Sequence, residues 1–104
     1  MTAAQFFEAL GARLGVSPLV QVGGLIEFEV EGAGSWFVNF DQGTVARAGK
    51  KPQCIVRAAE RDLMALVEGR MSVSDGLLTE RLHVAGEAAR LSRLLEALPR
   101  LASP

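Results

Sequence analysis

The chain has few of the residues on which cross-linking and catalysis most often depend. Its 104 residues include one cysteine, one histidine and one tryptophan, and aromatic residues make up 6% of the total. A single cysteine excludes a disulfide within the chain and fits a reducing compartment. One histidine and one cysteine cannot assemble an ordinary zinc site. We therefore predict no metal site, no cofactor and no catalytic residue.

An excess of either charge is also missing. The 11 basic and 12 acidic residues give a net charge of -1, and the basic residues are scattered, so the electrostatic footprint of a nucleic-acid-binding protein is absent. Residues 1–8 lack the basic and apolar stretches of a signal peptide. No segment is long and apolar enough to span a membrane. We expect a cytoplasmic protein that binds no nucleic acid.

Hydrophobic residues, in contrast, are abundant and make up 49% of the chain. A single domain of this length can use so much apolar material in three ways: a filled core, a cavity for a lipid, or an apolar face buried in a dimer. Composition alone leaves the three uses open.

Helical patterns occur at both ends of the chain. Thr2 and Gln5 have the spacing of a capping box, and apolar residues follow at helical intervals until Gly15 and Pro18 end the helix. Further helices are predicted over residues 60–68, 71–79 and 87–98. The last of these presents a row of leucines and ends before Pro99.

Alternating patterns predict strands over residues 25–31, 35–40, 44–48, 53–58 and 82–84. One face of the first two strands is apolar, with Ile26, Phe28, Val30, Trp36, Val38 and Phe40. The other face carries Glu27, Glu29 and Glu31, which we expect to face solvent and to pair with Arg47, Arg57 or Arg81. His83 is expected on a sheet surface, and Cys54 is expected to pack as a small hydrophobic residue.

The order of these elements resembles the sterol carrier protein family. In that family a strand that opens with Trp leads to an acidic turn with Gly, and a helix containing Asp ends in Gly. A short helix, an apolar strand closing on Gly and a last helix follow. The matching residues here are Trp36, Asp41, Gly43, Asp62, Gly69 and Gly86. Three places depart from the family pattern: Ala59 stands where a capping Ser or Thr is common, residues 72–74 hold no aromatic residue or Pro where the family often has one, and Gly76 stands where Ala is usual.

The resemblance spans about residues 6 to 98 and implies the fold. It predicts one α+β domain over residues 1–104, with a tail from residue 98. A five-stranded mixed or antiparallel sheet is covered on one face by the N-terminal helix and the C-terminal helices.

The resemblance also implies that the chain binds a fatty acyl, sterol-like or isoprenoid molecule in an apolar tunnel and can carry it. We expect the last helix to be the gate of this tunnel, because it is terminal, amphipathic and followed by Pro99. On spacing alone the same residues would form an ordinary filled core. The predicted lining is Phe6, Phe7, Leu10, Trp36, Val38, Phe40, Leu66, Met71, Leu77, Leu91, Leu94, Leu95 and Leu98.

Two other functions remain open at this point. The chain can be an interaction module whose apolar face binds a partner or a second copy in a homodimer. A small enzyme is the third alternative, and the sequence disfavours it because no set of nucleophile, base and orienting residue is visible.

Overall fold

The computed structural model describes residues 2–14 and 24–86, which form one α+β unit. In chain order the elements are α1 (Ala3–Leu14), β1 (Leu25–Glu31), β2 (Gly34–Asn39), β3 (Thr44–Ala46), β4 (Cys54–Ala59), α2 (Glu60–Val67), α3 (Val73–Leu78) and β5 (Leu82–Gly86). The predicted fold class is confirmed. The predicted last helix over residues 87–98, the tail after it and the end of α1 at Gly15 and Pro18 lie outside the described residues.

The five strands form one mixed sheet in the order β3-β2-β1-β4-β5. The central strand β1 pairs antiparallel with β2 and parallel with β4, while the two outer pairs are antiparallel. A parallel pair needs a long connection between its strands. Here β2 and β3 form part of the connection that brings the chain back to β4.

The register of the sheet places the predicted apolar residues on one face. Phe28 lies opposite Trp36 on one side and Val56 on the other, and Ile26 lies opposite Val38. All of these side chains are buried. On the other face Glu27 and Glu29 are partly exposed and Glu31 is exposed. The predicted register is therefore confirmed, and a slip of one residue would have inverted every one of these positions.

The start of α1 is fixed by two sets of hydrogen bonds. The Thr2 hydroxyl accepts from the Gln5 N–H at 3.2 Å, and the Gln5 side chain accepts from the Thr2 N–H at 2.9 Å. This is the capping box that the sequence predicts. In addition, the Glu60 carboxylate accepts from the Ala3 N–H at 2.9 Å. Because Glu60 begins α2, this bond joins the starts of the two helices.

Helix α2 is more deeply buried than its sequence pattern indicates. The sequence predicts a stripe of Leu63, Leu66 and Val67, but Met64 and Ala65 are buried as well. The reason is that α2 contacts α1, α3, β1 and β4, and a helix surrounded by other elements has no solvent face over its central turns.

Element boundaries differ from the sequence prediction by a few residues. β3 ends at Ala46 rather than residue 48, and α3 is shorter at both ends than residues 71–79. β5 extends two residues further, to Gly86. At Gly86 φ is +105°, and a Cβ atom there would collide with the carbonyl oxygen of Gln53, the residue that directly precedes β4. The family feature of an apolar strand that closes on Gly thus has a steric cause.

Candidate functional site

The structure brings most of the described members of the predicted lining into one hydrophobic cluster. The buried members are Phe6, Phe7, Leu10, Trp36, Val38, Phe40, Leu66 and Met71. They come from α1, from β2 and the turn after it, and from α2 and the loop that follows it. Among the described residues, no polar or charged side chain is buried. The cluster therefore offers apolar surface without any group that fixes a polar ligand in its interior.

Phe7 lies at the centre of an aromatic group within this cluster. Its ring stacks on Trp36 with centroids 4.8 Å apart and an interplanar angle of 14°. It also contacts Phe6 and Phe28 at 5.0 Å and 5.3 Å, in edge-on and tilted geometry. Such pairs contribute about 0.5–1.5 kcal/mol beyond the area that they bury. The group fixes α1 against the middle of the sheet.

Leu77 lies apart from the other described members. Its side chain is 42% exposed, and that of Leu78 is 82% exposed. Helix α3 instead turns Val73 and Gly76 inward, and Gly76 lies directly against Leu82. The remaining predicted members, Leu91, Leu94, Leu95 and Leu98, lie outside the described residues.

A depression of about 260 Å³ opens between α1 and β3. We call it the α1–β3 groove; its lining includes Ala4, Phe7, Gly11, Trp36, Val45 and Arg47. Phe7 and Trp36 also belong to the buried cluster, so the groove lies against the outer side of the candidate site. Ala4 and Gly11 lie two helical turns apart on α1, and their small side chains keep the groove open on that side.

Arg47 occupies this groove in a fixed position. Its guanidinium carbon lies 4.1 Å from the centroid of the Trp36 ring. Its Nε donates to the Ser35 carbonyl at 2.9 Å, and its Nη2 donates to the Ala33 carbonyl at 3.2 Å. Arg47 is one of the three arginines considered as partners for the glutamate row, and it makes no ion pair with a described carboxylate. Val45 lies opposite Val38 on the helix-covered face, so Arg47, two residues later, returns to that same side.

The open face of the sheet carries ordinary surface chemistry. Arg57 pairs with Glu29 at 2.8 Å, as the sequence predicts for one of its three candidate arginines. No described carboxylate pairs with Arg81. His83 lies opposite Arg57 and is exposed. This face therefore has partly exposed ion pairing rather than a buried catalytic group.

Other kinds of site find little support in the part of the chain that the structure describes. It contains no group of three or more His, Cys, Asp or Glu side chains that could hold a metal ion. Cys54 is buried on the helix-covered face, where it packs as predicted. Among the described helices, none has the length and apolar character needed to cross a membrane.

The sequence also matches a known family along most of its length. The model of the SCP-2 sterol transfer family matches residues 7–98. The chain belongs to the SCP-2 sterol transfer family. No curated protein sequence matches it significantly.

Solved structures show the same fold as this SCP-2 family member. The palmitated SCP2L2 of Aedes aegypti has a TM-score of 0.78 and 22% identity, covering 94% of this chain and 95% of that one. Apo sterol carrier protein 2 of Yarrowia lipolytica has a TM-score of 0.74 and 17% identity, covering 95% and 87%. The UbiJ-SCP2 ubiquinone synthesis protein has a TM-score of 0.69 and 22% identity, covering 96% and 94%. At these identities the likeness shows the fold.

The groove and its arginine are the features that sequence reasoning missed. The sequence feature that predicts them is the apolar side chain of Val45. It indicates that Val45 faces the helices and that Arg47, two residues later, lies on the same side of the sheet. Charge complementarity with the glutamate row instead favoured the open face for Arg47. The pairing of Val45 with Val38 decides between these two indications.

Proposed function

We propose that this SCP-2 family member binds a hydrophobic small molecule, a fatty acyl, sterol-like or isoprenoid lipid, in an apolar cavity and carries it. The match to the SCP-2 sterol transfer family over residues 7–98 supports this most directly. The apolar cluster between the helices and the sheet, with no buried polar side chain among the described residues, suits such a ligand. The palmitated mosquito protein, which has the same fold, agrees with such a ligand.

The energetics suit a long-chain guest. Burial of each methylene group contributes about 0.8 kcal/mol, so about ten methylenes supply roughly 8 kcal/mol, the magnitude of a micromolar dissociation constant. The unbranched side chain of Met71, buried beside the cluster, can adapt its shape to such a chain. The proposed mechanism is burial and release, without a chemical step.

The proposed lining consists of the buried cluster members together with Leu91, Leu94, Leu95 and Leu98. These four leucines, and the role of the last helix as a gate, stay predictions from the sequence. The cytoplasm as the place of this binding and the extent of the domain over residues 1–104 stay predictions as well.

A direct test is native mass spectrometry of the gently purified chain, followed by titration with a fluorescent fatty acid and a vesicle-to-vesicle transfer assay. We expect a bound lipid, micromolar or tighter probe binding, and transfer that rises with protein concentration. Leu10→Trp, a substitution inside the cluster, should weaken probe binding, whereas Leu78→Trp on the exposed end of α3 should not. Absence of both a bound lipid and any probe binding by the parent chain would contradict the proposal.

The interaction module remains a second candidate because Leu77 and Leu78 are exposed on α3. Two leucines offer far less than the roughly 800 Å² per partner that a stable interface buries, so the carrier is preferred. Light scattering over a range of concentrations tests self-association. A dimer that Leu78→Ser dissociates would favour the interaction module.

A further inference from the structure

We propose that Arg47 selects the ligand by its head group, binding the carboxylate of a long-chain acid in the α1–β3 groove. This inference rests on the proposed lipid binding and adds a chemical class to it: anionic amphiphiles over neutral ones of equal chain length. The first carbons of the alkyl chain lie against apolar lining residues that are not fully buried, such as Ala4 and Val45.

The hydrogen-bonding capacity of Arg47 is only partly used. A guanidinium group has five N–H donors, and the two bonds to the carbonyls of Ser35 and Ala33 engage one on Nε and one on Nη2. Both acceptors are neutral. In the described part of the chain the ion pairs join Arg57 to Glu29 and Arg70 to Glu68, so no described carboxylate neutralises Arg47. The Nη1 side therefore has donors with which to meet an incoming carboxylate.

The arginine is also held in place before a ligand arrives. The stack on Trp36 and the two bonds to backbone carbonyls fix its rotamer. A flexible side chain loses rotamer entropy when it binds, and one that is already fixed loses less of it. A fixed guanidinium beside an aromatic ring recognises a planar carboxylate by geometry as well as by charge.

The size and charge of the groove indicate which part of a ligand it holds. Its volume of about 260 Å³ is below the range of roughly 300–1,000 Å³ for pockets that enclose a whole small molecule. It therefore suits a head group and the first carbons of a chain. Glu8 also lines the groove and is exposed. The negative charge of Glu8 repels a carboxylate, so the head group of the ligand should lie at the Arg47 end of the groove.

The experiment compares two amphiphiles of equal chain length, decanoate and 1-decanol, at pH 7.4. Trp36 is the one tryptophan of the chain and lines the groove, so its emission reports binding without an added label. We expect the parent chain to bind decanoate up to about fivefold more tightly than decanol, the effect of one charged contact at an exposed site. Arg47→Gln should remove this preference and leave decanol affinity unchanged.

Arg57→Gln is the matched control, because it removes the same charge from the open face of the sheet. It should keep the preference for decanoate over decanol. Glu8→Gln is a second variant that leaves Arg47 and its contacts intact, and it should raise decanoate affinity about two- to threefold without changing decanol affinity.

Each outcome bears on a defined claim. Equal binding of decanoate and decanol by the parent chain, or a preference that survives Arg47→Gln, overturns the head-group inference while lipid binding stands. If Arg47→Gln does not fold, an unchanged decanoate affinity in Glu8→Gln overturns the placement of the carboxylate. If the parent chain binds neither amphiphile, the proposed function fails and the inference fails with it.

Discussion

Replacement of Gly76 by alanine tests the packing of α3 against the sheet. A Cβ atom at Gly76 would lie 2.7 Å from Leu82 Cδ1, 2.8 Å from Leu82 Cγ and 3.1 Å from Met71 Cε. Leu82 is only 2% exposed, so its branched side chain has no free space into which it can withdraw. The Met71 methyl group can move more readily, because its side chain is unbranched. The family's usual alanine therefore does not fit this chain at this position.

Two opposing effects determine how Gly76→Ala changes the free energy of unfolding. Alanine is favoured over glycine by about 1 kcal/mol in a helix interior, and Gly76 is not among the described glycines with positive φ, so its backbone accepts alanine. Overpacking of a buried site costs about 1–3 kcal/mol. Because both close atoms of Leu82 are buried, we expect the free-energy cost of the steric overlap to exceed the gain in helix propensity. The expected net loss of stability is therefore up to about 2 kcal/mol, and each kcal/mol lowers Tm by roughly 4–8 °C.

The measurement is paired thermal and urea unfolding of Gly76→Ala and Gly11→Ala. Gly11 also lies inside a helix, but a Cβ there would meet Val45 at 3.6 Å, an ordinary contact. Gly11→Ala should therefore stabilise the protein by about 0.5–1 kcal/mol. Combined with Leu82→Ala, the Gly76→Ala change should lose most of its cost, because the overlapping atoms are gone. If Gly76→Ala stabilises as much as Gly11→Ala, the described packing of α3 on β5 is wrong.

The remaining predictions concern helix starts and the open face, and urea unfolding measures each. Ala59→Ser should stabilise by about 1 kcal/mol, since residue 59 has N-cap geometry but its side chain makes no capping bond; an unchanged midpoint would contradict this. Ser72→Ala should cost about 1 kcal/mol by removing the cap of α3. Glu60→Ala should cost about 1 kcal/mol through loss of its bond to Ala3, and a neutral result would deny that this bond joins the helices. Glu29→Gln should change stability by less than about 1 kcal/mol, because its ion pair is partly exposed, and should leave lipid binding intact.

Local rules predicted most of the described fold. Alternation in β1 and β2 fixed which side chains are buried, since the period of a strand allows only two choices of face. The capping box at Thr2 was also visible, because it needs only residues three positions apart. The resemblance to a known family supplied the family membership and a single five-stranded sheet covered on one face, which no local pattern contains; the order of the strands in that sheet was not predicted.

The orientation of α3 could not be predicted in the same way. The helix has six residues, fewer than two turns, so its apolar positions do not define a face. Leu77 was expected inward because it is large and apolar. The structure turns Gly76 inward instead, because the side chain of Leu82 fills the space beside that position. A close approach of this kind depends on the partner element, which the sequence of the helix itself does not reveal.

Arg47 shows how register, rather than charge, decides where a cation acts. Attraction to the glutamate row favoured the open face. The pairing of Val45 with Val38 fixes β3 so that the position two residues later lies beside Trp36, on the side of the sheet that the helices cover. The cation therefore stands at the edge of an apolar cluster instead of in a solvated row of charges. The guanidinium stays exposed at that edge, so a single arginine there can meet a carboxylate head group while the chain of the ligand lies against the neighbouring apolar surface.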